Sequence, residues 1–161
     1  ILLFIFIPNI LFAGSMKAIG VKGSEENVDR VIKVSMYDNY YEPNKFKIKK
    51  NETIKFVVEN KGELVHEFNI ATKEMHLKHQ PEMMMMVENE ILLTNKIDKK
   101  KMVEMSEKNP AMAHNHHNSV LLSPGERAEL IWKFSNSVDI EAACNVPGHY
   151  DVGMIAKIDR L

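Results

Sequence analysis

Only one cysteine, Cys144, stands in the 161 residues, so no internal disulfide can form. In an oxidising compartment a lone cysteine is either buried and inert or occupied by chemistry. An excess of charge is missing as well, since 21 basic and 22 acidic side chains leave a formal net charge of -1. That balance excludes a strong field toward nucleic acid or an anionic membrane, so partners have to be argued from local features. There is no Gly-rich phosphate loop and no Ser, Cys or carboxylate catalytic pattern. A long apolar run is absent too. The run from Ile1 to Phe12 is interrupted by Pro8 and Asn9 and is too short for a comfortable membrane span. Followed by the small residues Ala13, Gly14, Ser15 and Ala18, it predicts the apolar part and cleavage region of a secretory signal over residues 1–18, entered part-way along. The expectation is an exported, periplasmic chain with no stable membrane span after cleavage. A buried N-terminal strand is the alternative.

The rest suits one domain with a real core, residues 28–161. Period-two alternation dominates it. Ile32, Val34 and Met36 share a face, Phe46 and Ile48 alternate with lysines, and so do Ile54, Phe56 and Val58 with Lys55, Val57 and Glu59. Leu64 to Ile70 continues as a further short strand. After the Ser123-Pro-Gly turn, Ala128, Leu130, Trp132 and Phe134 alternate with Arg127, Glu129, Ile131 and Lys133. Many short strands separated by turns predict an all-β fold, an antiparallel β-sandwich with Greek-key connections.

Between these blocks, at about 73–118, the pattern changes to Met, His, Lys and Glu, giving a partly helical insertion. Residues 73–87 are good helix formers, with Pro81 as a kink or boundary. Residues 94–105 form a second short helix or a loop, and 111–118 is loop-like. On a helix Met75, His79 and Met83 share a face. Thioethers and an imidazole at that spacing either hold Cu(I) or pack on the sandwich, methionine being an adaptable gap filler. His114, His116 and His117 beside Met112 make a His-rich tract, either a polar loop or a labile metal site. The insertion is therefore assigned a second, weaker copper site, formed from the His loop with His76 or His79. Lys99 to Lys101 is a solvated face.

The residues with the sharpest chemistry are Cys144, His149 and Met154, in the order Cys-x4-His-x4-Met with Pro147-Gly148 turning the chain between the first two. A mononuclear copper electron-transfer site needs two imidazoles and a thiolate in a plane with a weak axial sulfur. The loop supplies three of the four, and His66 in Leu-Val-His-Glu-Phe is the best second imidazole. Cys-Asn-Val-Pro-Gly-His-Tyr-Asp-Val-Gly-Met resembles the ligand loop of the cupredoxins, azurin and auracyanin among them. Tyr41-Glu-Pro-Asn, Glu52 to Asn60 and Val65-His-Glu-Phe resemble that family's first strands. His-Glu-Phe followed by a Met- and His-bearing insertion is most similar to the periplasmic copper-tolerance cupredoxins.

The resemblance implies a type 1 copper on His66, Cys144 and His149 with Met154 axial, and Asn145 hydrogen bonding across the site or to the thiolate. Phe68 and Tyr150 either shield the metal or simply pack. Multicopper oxidases flank this cysteine with histidines, whereas Ala143 and Asn145 stand here, and cytochrome oxidase subunit two carries a second loop cysteine. A single mononuclear site is expected, in a protein of copper tolerance that binds or redox cycles copper. The rivals are a blue-copper electron carrier with a redox protein partner and an enzyme oxidising Cu(I).

Overall fold

The structure, a computed structural model, describes residues 18–136 and 138–161. The apolar segment read as a secretory signal lies outside them apart from Ala18. Among the described residues ten strands form two five-stranded sheets. The first holds β1 (Val21–Lys22), β8 (Arg127–Lys133), β5 (Thr53–Asn60), β2 (Arg30–Tyr37) and β3 (Tyr40–Glu42), in that spatial order. The second runs β4 (Lys45–Ile48), β10 (Ile155–Arg160), β9 (Glu141–Ala143), β6 (His66–Ala71) and β7 (Ser119–Leu122). The alternating residues behave as their pattern demands: Val34, Met36, Phe46, Ile48, Ile54, Phe56, Val58, Leu130 and Trp132 are buried, while the intervening Lys33, Lys45, Lys47, Glu129 and Lys133 are exposed. Sealing each large apolar side chain between the sheets contributes about 1.5–3 kcal/mol. Phe56 sits at the centre, 5.3 Å from Phe68 of the opposite sheet and 5.6 Å from Phe46 between ring centroids.

The sandwich is not purely antiparallel, contrary to expectation. β2 pairs with β5, and β4 with β10, in parallel. Each chain segment crosses to the other sheet before returning, and local alternation carries no information on such long-range pairing.

The insertion forms helix α1 (Lys73–Glu88), a bridge between Leu92 and Ile97, helix α2 (Lys99–Ser106) and a 3-10 turn (Pro110–Ala113) leading into the His loop. Thr72 caps α1 by accepting from Met75 N at 3.2 Å, and Asp98 caps α2 by accepting from Lys101 N at 3.0 Å. Pro81 neither ends nor divides α1. It lies on the exposed side of the helix, as does Leu77, whose carbonyl it cannot bond. Met83, Met86, Ile91, Leu92, Ile97 and Met112 close a small second core against Val65 and Leu121. The insertion thus covers the outer face of β6. That is why this strand is buried throughout: Phe68 and Ile70 face the sandwich core, and Glu67 and Asn69 face the insertion.

Candidate metal centre

Three adjacent strands converge at one end of the second sheet. β6 opens with His66, β9 stops one residue before Cys144, and β10 starts one residue after Met154. The loop joining β9 to β10 is closed by backbone bonds from Cys144 N to Met154 O (3.2 Å), from Met154 N to His149 O (3.0 Å) and from His149 N to Val146 O (2.9 Å). Gly148, at φ 86°, and Gly153, at φ 90°, take the left-handed conformation that lets the loop double back.

Within this fold Nδ1 of His66 lies 3.2 Å from Nδ1 of His149, Nδ1 of His149 lies 3.4 Å from the Cys144 sulfur, and Nδ1 of His66 lies 4.0 Å from it. Metal bonds of about 2.0 Å to nitrogen and about 2.3 Å to sulfur, spread trigonally, require donors about 3.5–3.7 Å apart. The triangle fits. Two ring nitrogens facing each other at 3.2 Å are ordinarily unfavourable neighbours, and a shared cation removes the conflict.

His66 is aimed from behind. Its Nε2 donates to Asp38 Oδ1 at 2.8 Å, which fixes the tautomer and leaves Nδ1 as the free lone pair. Asp38, in the turn between β2 and β3, is itself held by the backbone N–H groups of Glu63 and Leu64, at 3.1 and 3.2 Å. Gly62 makes room for the pair, because a Cβ there would sit 2.4 Å from Asp38 Oδ1 and 3.0 Å from His66 Nε2. Burial pushes His66 below the ordinary imidazole range despite the Asp38 carboxylate, and burial together with the neighbouring His66 pushes His149 down. Both rings are therefore neutral at neutral pH, with a lone pair available to a metal. Burial raises the Cys144 thiol to about 12, so a metal that binds here must displace its proton.

Met154 is fully buried in the same apolar cluster as Cys144. The Asn145 side chain bonds across to β6 and not to the thiolate. Its amide donates to Glu67 Oε2 at 2.7 Å and lies 3.1 Å from His76 Nδ1, while the Cys144 sulfur accepts from the backbone N–H groups of Glu67, at 3.3 Å, and of Val146. Phe68 belongs to the core, while Tyr150 bonds Glu141 and lies beside the His76 ring.

A second cluster lies on the other side of β6. His79 of α1 and His114 and His116 of the loop bring their ring nitrogens within 4.8 Å of one another. His79 Nε2 is 3.3 Å from His114 Nε2, and both reach Glu67 Oε1, at 3.2 and 2.9 Å. Glu82 binds His79 Nδ1 at 3.0 Å and His116 Nε2 at 3.1 Å. Burial opposes the charge on His79, but bonds to Glu67 and Glu82 prevail and raise it to about 10. Burial opposes ionisation of both carboxylates too, yet the histidines hold Glu82 at about 2 and Glu67 well below its usual range.

Of the seven residues expected to contribute to a second site, the structure brings together these three histidines. His76 is buried beside Asn145, Met75 packs on the main core, Met83 fills the second core, and His117 is exposed. Asp38, Glu67 and Glu82 were not anticipated. The only sequence signal for Asp38 is the small Gly62 near His66; Glu67 reads as the outward side of an ordinary strand.

The protein-family model of the cupredoxin-like domain matches residues 3–106, ending short of the Cys144 loop. The copper-resistant cuproprotein CopI of Pseudomonas aeruginosa is 35% identical over 148 residues, covering 88% of this chain and 82% of that protein. The chain belongs to the cupredoxin family. Another relative, the copper-resistant cuproprotein CopI of Rubrivivax gelatinosus, is 27% identical over 140 residues, 86% of this cupredoxin and 71% of its relative. Among solved structures, dithionite-reduced auracyanin from Roseiflexus castenholzii superposes with a TM-score of 0.57 at 14% identity, covering 83% of this chain and 98% of that one, a likeness of fold alone.

Proposed function

We propose that this cupredoxin is an exported copper-binding protein, carrying a type 1 site and contributing to copper tolerance by binding or redox cycling copper in the periplasm. The carrying observation is the convergence of His66 Nδ1, His149 Nδ1 and the Cys144 sulfur in one buried triangle. His66, Cys144 and His149 would hold the metal, with the buried Met154 thioether as a further, weaker donor. Copper bound there supplies a one-electron couple, since thiolate favours Cu(I) and imidazole suits Cu(II). The chain's own contribution is positional: Asp38 fixes the His66 ring, Glu67 N–H bonds the sulfur, and the sandwich excludes water from it. The resemblance to copper-resistant relatives supports the tolerance role, and the apolar segment 1–18 with its small residues supports export.

The same reading gives the insertion a second, weaker copper ion on His79, His114 and His116. Nitrogen donors flanked by carboxylates suit Cu(II), the most strongly bound of the divalent first-row ions. Two tests follow. A strain lacking the protein should lose growth in excess copper and recover it with the wild-type chain but not with Cys144→Ser; full recovery by that variant overturns the tolerance reading. Metal analysis should find two coppers per chain and one after the paired change His114→Ala/His116→Ala, whereas one copper in both removes the second site.

A second reading, an electron carrier, draws on the exposed Val152 in the ligand loop and the half-buried His149, an apolar rim beside a ligand. Electron exchange with a respiratory protein together with normal copper resistance in the deletion strain would favour it.

A further inference from the structure

Glu67 touches both clusters. Its backbone N–H donates to the Cys144 sulfur at 3.3 Å. Its carboxylate, fully buried, meets His79 and His114 through Oε1 and the Asn145 backbone and side-chain amides through Oε2, at 3.2 and 2.7 Å. Ser119 Oγ adds a bond of 2.6 Å and Asn69 one of 3.1 Å. Strand alternation produces this arrangement: the side chain of Glu67 points toward the insertion while its peptide borders the sulfur lying on the opposite face.

We infer that Glu67 couples the two metal sites, so that filling the His79, His114 and His116 cluster raises the reduction potential of the copper on Cys144. This rests on the two-site reading above and adds a positioning and electrostatic role for one residue. A buried carboxylate bonded to Asn145, the residue next to Cys144, stabilises the more positive oxidation state, Cu(II). A divalent cation against Oε1 offsets that charge in a region where water screens little, so the balance moves toward Cu(I). The cation also draws on the carboxylate that orients Asn145, the residue that follows Cys144. Coupling is reciprocal: the second ion must bind more tightly to the reduced protein than to the oxidised one, by the same factor. A chain of this kind would retain the second ion while the first site holds an electron and loosen it on oxidation.

Zn(II), which has no redox chemistry of its own, is the probe. The full chain is loaded with one copper, and the potential of its visible-absorbing site is measured before and after one equivalent of Zn(II), with bound zinc counted. The expected result is that zinc binds and the ratio of reduced to oxidised copper at fixed ambient potential rises roughly fivefold or more, the lower range of coupling between sites. The shift should vanish in His114→Ala/His116→Ala and shrink in Glu67→Gln. Should Glu67→Gln fail to fold, Asn145→Ala replaces it, cutting the contact beside Cys144, and the same shrinkage is expected. Zinc that binds without moving the potential overturns the coupling and leaves the two-site reading standing. Absence of zinc binding, with one copper per chain at saturation, overturns both. An undiminished shift in the variants at both 67 and 145 overturns the assignment to Glu67.

Discussion

The two histidine clusters lie on opposite faces of β6, a single strand apart, yet their electrostatics are opposed. Around Cys144 the sandwich core surrounds the donors with apolar atoms, so burial holds His66 and His149 neutral and keeps the thiol protonated. Around His79 two carboxylates meet, Glu67 from β6 and Glu82 from the insertion, which outweigh burial and hold that ring protonated up to about pH 10. The same side chain is thus a ready donor on one face and, until a metal displaces its proton, a cation on the other. What decides is whether a carboxylate touches the nitrogen that faces the site. Asp38 touches the far nitrogen of His66 and so orients it, whereas Glu67 and Glu82 occupy both nitrogens of His79.

That contrast can be broken from either side. The largest effect is expected at Asp38→Asn. With the partner of His66 Nε2 weakened, copper affinity at the Cys144 site should fall about 10–100-fold, the usual cost of losing a residue that orients a ligating histidine. Competition with a chelator of known affinity measures it, and an unchanged affinity would show that the strand alone positions His66. Gly62→Ala should act in the same direction but more weakly, because its Cβ intrudes on the Asp38–His66 bond without removing either group.

The smallest effect is expected in the pH dependence of stability. The bonds of His79 raise its pKa from 6.5 to about 10 on folding, so their contribution is complete below about pH 6.5 and disappears as pH rises through 10. Glu82, lowered from 4.5 to about 2, behaves oppositely: its contribution is present above 4.5 and is lost as pH falls toward 2. With chelator present, the difference in melting temperature between the wild type and His79→Gln should therefore be widest near pH 6 and should narrow toward pH 10. A difference that stays constant over that range would contradict the charged state of the ring.

Much of the sandwich was legible because its strands are amphipathic: Ile54, Phe56 and Val58, or Leu130 and Trp132, had a face to declare. His66 and the Cys144 loop were legible because a thiol, an imidazole and a thioether on either side of a Pro-Gly turn form an unusual combination. The parallel pairs β2 with β5 and β4 with β10 were not legible, since pairing across the chain leaves no local trace. Asp38 stands 28 residues before His66 in what reads as an ordinary Asp-Asn turn. Glu67 looked like the solvent side of a strand until the insertion covered it. Met75, His79 and Met83 share a helical spacing, but their side chains are divided between the main core, the histidine cluster and the second core. Spacing gives direction; only packing decides which neighbour is met.

The central claim is a copper ion held by Cys144 with His66 and His149, and the visible spectrum of the copper-loaded full chain tests it most directly. The account predicts an intense thiolate-to-copper absorption that Cys144→Ser abolishes and that His114→Ala/His116→Ala leaves in place. A colourless copper-loaded wild type, or an absorption that survives Cys144→Ser, would contradict it.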